Sequence, residues 1–111
     1  MAYTFAASIN GAVGVLTFDD PESKVNVITP GVFAGLKREL EKLASDASVK
    51  GIVLASAKPG CFFAGADLKV MREVMAAPDA AARGEALSKE GQAFMAFVED
   101  LPTPVLAVIS G

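Results

Sequence analysis

Apolar and polar positions along the 111-residue chain change period several times, and each change marks a predicted element. Tyr3 to Ile9 and Ala12 to Phe18 are rich in β-formers. Asn10-Gly11 between them is the dipeptide that takes the positive φ angles of a type I′ turn at least cost, so a hairpin is predicted. Asp19 to Ser23 follows as polar turn chemistry, and Val25 to Ile28 is a short apolar segment that crosses towards the core. Thr29-Pro30 predicts a helix start, with Thr29 as N-cap and Pro30 at the first helical position, where its missing N–H costs nothing. Phe33, Leu36, Leu40 and Leu43 then recur at helical spacing, with Lys37, Arg38, Glu39, Glu41 and Lys42 on the other face, so the helix runs to about Ala44.

Gly51 to Ser56 is a continuous apolar run of the kind found in a strand buried on both faces. Strand, helix, strand in this order predicts a right-handed crossover, with ligand sites at the carboxyl ends of the strands. That directs attention to the loop from Ala57 to Asp67, which precedes a predicted helix from Leu68 to Met75. Met71 and Met75, four apart on that helix, read as core packing before they read as the lining of an apolar channel. Asp79 is placed to cap a further helix that begins near Ala80 and runs to about Asp100, one face being marked by Leu87, Gly91, Phe94, Phe97, Val98 and Leu101. Gly84 and Gly91 each weaken that helix by about 1 kcal/mol relative to alanine, which calls for a packing reason or signals mobility. Pro102 and Pro104 stop the helix, and Val105 to Ile109 predicts a second doubly buried strand. The succession of elements is α/β.

At 11.4 kDa the chain suffices for one small domain, with an expected radius of gyration of about 13 Å. Hydrophobic residues make up 52% and charged residues 21%, with mean hydropathy +0.43, which excludes a disordered tail and asks for a well-covered core. A net charge of −3 argues against a nucleic-acid partner. Histidine is absent, which excludes Ser-His-Asp hydrolysis and His-rich metal sites within this chain. Cys61 stands alone, so no internal disulfide forms, and a reducing cytoplasm is the expected compartment. The first residues lack the basic and apolar regions of a signal peptide, and no apolar run reaches the length of a spanning helix; a soluble protein is expected.

No Walker A loop, G-x-G-x-x-G, paired-cysteine metal site or H-E-x-x-H is present. Cys61 without a histidine reads as a small half-buried residue rather than a nucleophile. The loop from Lys58 to Asp67 is more specific. Small side chains at Ala64, Gly65 and Ala66 let a ligand approach the main chain, and the following helix begins with unsatisfied N–H groups at its positive end, a setting that suits a developing oxyanion. The competing reading is that Asp67 caps the helix and the glycines only turn the chain.

Phe62-Phe-Ala-Gly-Ala-Asp-Leu68, preceded by an apolar strand and Lys-Pro-Gly-Cys, resembles the signature of the enoyl-CoA hydratase/isomerase (crotonase) superfamily. Within it the segment is most similar to the hydratase region at the start of multifunctional fatty-acid oxidation α subunits of the trifunctional type. The likeness extends to Ser23-Lys-Val-Asn-Val-Ile28 in place of the family's acyl-CoA loop and to Pro102 through Gly111 in place of its last strand here. It implies a ββα spiral of the crotonase fold, incomplete, with residues 1–111 forming the N-terminal fragment of an enoyl-CoA hydratase/isomerase domain.

The resemblance also implies roles. The backbone N–H of Ala64 is the implied oxyanion donor to the thioester carbonyl; Gly65, Ala66 and Asp67 line the CoA pocket, Val25 meets the pantetheine arm and Lys24 approaches a CoA phosphate. The second donor and the two catalytic glutamates lie beyond Gly111. Glu73, Glu85, Glu90 and Glu99 read as solvated helix residues and do not replace them, so the fragment alone is expected to be inactive. Acyl-CoA is the implied substrate. No metal and no cofactor are implied for this chain, NAD belonging to a downstream 3-hydroxyacyl-CoA dehydrogenase domain. The expected partners are further copies of the protein and a thiolase β subunit. The alternatives are another acyl-CoA isomerase or hydrolase of the family, or a non-catalytic fragment that associates with itself through its apolar faces.

Overall fold

The computed structural model describes residues 3–29 and 31–111. Its frame is a four-stranded sheet in the order β1 (Thr4–Asn10), β2 (Val13–Asp19), β4 (Gly51–Ser56), β6 (Val105–Val108). β1 runs antiparallel to β2, and β2, β4 and β6 are parallel. β3 (Val27–Ile28) and β5 (Gly65–Ala66) form a separate two-stranded parallel ladder. Three helices complete the chain: α1 (Val32–Ala44), α2 (Leu68–Ala76) and α3 (Ala80–Asp100).

The hairpin turn differs from the expected type. Asn10 pairs with Val13, which leaves Gly11 and Ala12 as the loop, and only Gly11 has positive φ, +63°. A glycine at the first of two loop positions is the requirement of a type II′ turn. Helix α1 begins later than the sequence suggests: its N-cap is Gly31, without a side-chain bond, while the Thr29 carbonyl accepts the Val32 N–H at 3.2 Å. Thr29 is therefore not the cap, and the placement of Pro30 lies outside the described residues. Asp67 caps α2, its carboxylate accepting the Lys69 N–H at 2.9 Å. Asp79 makes no capping bond to α3 and instead pairs with Arg83 at 2.9 Å.

The core lies between one face of the sheet and α1. Leu16, Phe18, Ile52 and Leu54 project from β2 and β4 onto Val32, Leu36, Leu40 and Leu43, and Phe94 of α3 closes the cluster. Every residue expected on the inner face of α3 is at least half-buried, and Phe94 on that face stacks on Phe33 with ring centroids 4.8 Å apart. Gly35 of α1 sits where a Cβ would come within 2.6 Å of the Phe5 ring, so the helix approaches the sheet as closely as it does only with glycine there.

The opposite sheet face carries Val15, Val53 and Leu106 in register, and no described element packs over it. The expectation that β4 and β6 are buried on both faces therefore fails: β4 is buried at Ile52 and Leu54 only, and Leu106, Val108 and Ile109 are 65%, 51% and 67% exposed. An unbroken apolar run reports what a strand is able to bury. What covers it depends on neighbours, and β6 is the sheet's edge. The radius of gyration, 15.1 Å, exceeds that expected for a self-contained domain of this length because one sheet face is uncovered and α2 and α3 extend from the core with few buried side chains.

Candidate active site

The loop between β4 and α2 is anchored at three points. Phe62 and Phe63 pack on Phe18, with centroids 5.2 and 4.6 Å away, so the apolar half of the loop belongs to the core. Lys58 reaches back to the end of β2, where its Nζ meets Asp19 Oδ1 at 2.5 Å and the Asp20 carbonyl at 2.7 Å. Gly60, at φ +72°, makes the turn between these anchors, and Gly111 lies against it with no room for a side chain. The carboxyl ends of β4 and β6 thus converge on this loop, as the crossover predicts.

The third anchor is Asn26, which is fully buried. Its Oδ1 accepts the Asp20 N–H at 3.0 Å, its Nδ2 donates to Ser56 Oγ at 2.8 Å and to the Phe62 carbonyl at 3.0 Å, and its own carbonyl accepts the Ala64 N–H at 2.7 Å. One side chain therefore binds the turn after β2, the end of β4 and the loop. Ser56 Oγ in turn accepts the Lys58 N–H at 2.9 Å. Asn26 is not among the site residues that the sequence predicts. Its signal was a single amide side chain within an otherwise apolar run.

These contacts place every residue expected in the site. Lys24 and Val25 are exposed and immediately precede Asn26 and β3; Lys24 forms no ion pair among the described residues. Ala64, Gly65, Ala66 and Asp67 follow along β5, with Val27 paired to Gly65 and Ile28 to Ala66. Gly65 adopts φ +131°, which side-chain-bearing residues rarely take, so the strip bends only with glycine there.

One expectation needs correction. The Ala64 N–H, implied as the oxyanion donor, is committed to the Asn26 carbonyl and is not available in this conformation. In a parallel ladder a residue bonds the two neighbours of its partner, so the partner's own N–H faces the other way. Ile28 accepts the Asp67 N–H at 3.1 Å and is paired with Ala66, which turns the Ala66 N–H away from β3.

Ala66 and Asp67 also border a cleft of about 290 Å³ between the β3–β5 ladder and the α2–α3 pair. Its walls are apolar: Ile28, Phe33, Val70, Met71, Val74 and Leu87. Met71 is therefore a cleft residue and not core, and Met75 is 76% exposed, which corrects the packing expectation for both. Glu90, expected on a solvated face, is exposed and borders the same cleft. Among the described residues no group of three or more His, Cys, Asp or Glu is placed to hold a metal ion, and no helix is long and apolar enough to cross a membrane.

Residues 8–111 match the profile of a family described as enoyl-CoA hydratase/isomerase. The fatty acid oxidation complex subunit alpha of Idiomarina loihiensis is 37% identical over 110 residues, covering 99% of this chain and 15% of that protein. An enoyl-CoA hydratase structure from Bacillus anthracis superposes with TM-score 0.75 at 27% identity, covering 96% of this chain and 40% of that one. An enoyl-CoA hydratase from Shewanella pealeana gives TM-score 0.79 at 21% identity, covering 96% and 39%. The chain thus spans about 40% of those solved structures and carries a corresponding part of their mixed α/β fold. With the family profile covering nearly all of its length, this chain belongs to the enoyl-CoA hydratase/isomerase, or crotonase, family.

Proposed function

We propose that this chain supplies the acyl-thioester-holding half of an enoyl-CoA hydratase of fatty-acid β-oxidation, in a protein that also carries a 3-hydroxyacyl-CoA dehydrogenase. The observation that carries this reading is the strip Ala64–Asp67, which lies between the exposed Lys24–Val25 turn and the apolar cleft. A CoA arm laid along Val25 would bring its thioester to the strip and its acyl tail to the cleft.

Hydration of a trans-2-enoyl thioester places a hydroxyl on C3 and a proton on C2, and between these events negative charge gathers on the carbonyl oxygen. Backbone N–H groups fixed in advance stabilise that charge by about 3–4 kcal/mol each without reorganising. The Ala66 N–H is the donor that the ladder leaves for this purpose; for Ala64 to serve, its bond to Asn26 would have to open. Asp67 spends its carboxylate on the α2 cap and is assigned a lining role. Water activation and C2 protonation need acid–base groups. Glu85 is paired with Lys89 at 2.9 Å, and Glu90, although it borders the cleft, is an exposed helix residue, so we assign these steps to residues outside this chain. No cofactor is assigned to it. Homo-oligomerisation and pairing with a thiolase subunit belong to the same reading of the whole protein.

The test is titration of the 15N-labelled chain with trans-2-butenoyl-CoA and with CoA alone. The thioester is expected to shift the amide signals of residues 64–67 beyond the CoA control, Ala66 most of all, with no hydration of the enoyl group. Unmoved signals there, or hydration at the rate of an intact hydratase, would overturn the reading.

A further inference from the structure

Helix α3 carries two interior glycines in different surroundings. A Cβ at Gly91 would lie 3.8 Å from Phe33 Cε2, an ordinary contact within the α1–α3 interface, whereas one at Gly84 would meet nothing within 4 Å. Gly84 has no positive φ, so neither backbone strain nor crowding explains a residue that weakens the helix where alanine would strengthen it. Its position does set it apart in one respect. Gly84 lies on the α3 wall of the cleft, across from Val70, Met71 and Val74 of α2.

We propose that Gly84 is a specificity-determining residue, its missing side chain keeping the space between α2 and α3 open for the far end of a long acyl chain. This rests on the reading of the cleft as the acyl site. The side chains there are mainly apolar, Val70, Met71, Val74 and Leu87, with Ser88 and Glu90 on the α3 side, which suits a saturated tail. α2 buries no residue fully, so that wall is not braced by the core, and the opening depends on what α3 projects into it. Burial of each tail methylene is worth about a fourfold change in affinity, so a leucine at position 84, filling the space of about three tail carbons, discriminates steeply between long and short chains.

The experiment is calorimetric titration of the unaltered chain and of Gly84→Ala, Gly84→Leu and Ala82→Leu with butanoyl-CoA and dodecanoyl-CoA. Ala82 lies on the same helix outside the cleft lining and controls for a general effect on α3. Gly84→Leu is expected to weaken dodecanoyl-CoA at least about tenfold while changing butanoyl-CoA less than about twofold, with Gly84→Ala shifted the same way by less and Ala82→Leu unchanged. If Gly84→Leu fails to show a helical circular dichroism spectrum, Gly84→Ala decides alone, since alanine favours the helix. Equal weakening of both ligands, or none, overturns the role of Gly84 and leaves the acyl site standing. Failure of the unaltered chain to bind either acyl-CoA overturns both.

Discussion

The Asn26 side chain donates to Ser56 Oγ at 2.8 Å across 30 positions of sequence, and this bond joins the segment before β3 to the end of β4. With the same amide holding the Phe62 carbonyl and the Asp20 N–H, the loop that carries the candidate site is fixed from the buried side. Asn26→Ala is expected to destabilise the fold by about 2–4 kcal/mol, because buried partners are left unsatisfied. Urea unfolding measures the loss. Hydrogen exchange at the Ala64 amide tests the positioning: it should accelerate more than exchange at core amides of β2.

Gly35 lies under the Phe5 ring, where a Cβ would approach to 2.6 Å. Gly35→Ala gains helix propensity yet is expected to cost about 1–3 kcal/mol net, since Phe5 must leave its place on the sheet. Thermal unfolding checks the sign, and Phe5→Ala in the same background should recover part of the loss. A stabilised Gly35→Ala chain would show that the helix does not approach this closely.

Tyr3 donates its hydroxyl to the Val27 carbonyl, and burial, reinforced by Asp20 nearby, pushes its pKa well above the ordinary tyrosine value. A raised folded pKa means that the unfolded chain ionises first. The contribution is therefore complete below pH about 10 and is lost progressively as pH rises above it. Stability measured from about pH 8 to about pH 12 should fall on the alkaline side, and Tyr3→Phe should flatten that limb.

Asp46 is exposed and accepts both the N–H and the hydroxyl of Ser48, at 2.9 and 2.7 Å, which hold its carboxyl below the usual aspartate range. The sign here is opposite: the contribution is present above the unfolded aspartate pKa and is lost as pH falls through the folded one. Ser48→Ala should return the Asp46 titration, followed by NMR, towards the ordinary value.

Leu106 is 65% exposed on an edge strand, in register with Val53 and Val15 on the uncovered sheet face. Such an edge pairs readily with other chains. Leu106→Lys is expected to lower concentration-dependent association in sedimentation velocity while leaving the circular dichroism spectrum unchanged. Association as strong as in the unaltered chain would place the contact elsewhere.

Much of this molecule was legible in the order of its residues. The bounds of β4, the inner face of α3 and the cap at Asp67 follow from local periodicity and local hydrogen bonding, and both are properties of neighbouring residues. The strip Ala64–Asp67 was legible as a place of small residues before a helix. Which of its amides is open was not: that depends on the register of β5 against β3, a partner some forty positions away, and a shift of one residue exchanges bonded and open N–H groups. Asn26 was hidden for a related reason. Its value comes from meeting Asp20, Ser56 and Phe62 together, and no local pattern announces a meeting of that kind.

The sequence by itself determined the kind of chemistry open to this chain and its family. The absence of imidazole leaves carboxylates, lysines, one thiol and backbone amides, and the Phe-Phe-Ala-Gly-Ala-Asp segment carries the family likeness. Only the tertiary structure decided that Ala64 is bonded while Ala66 faces outward, that Met71 lines a cleft instead of a core, and that the last strand lies uncovered at an edge. The physical reason is common to all three. Residue type fixes which interactions a group is able to make, and the neighbours brought to it by the fold fix which of them it makes.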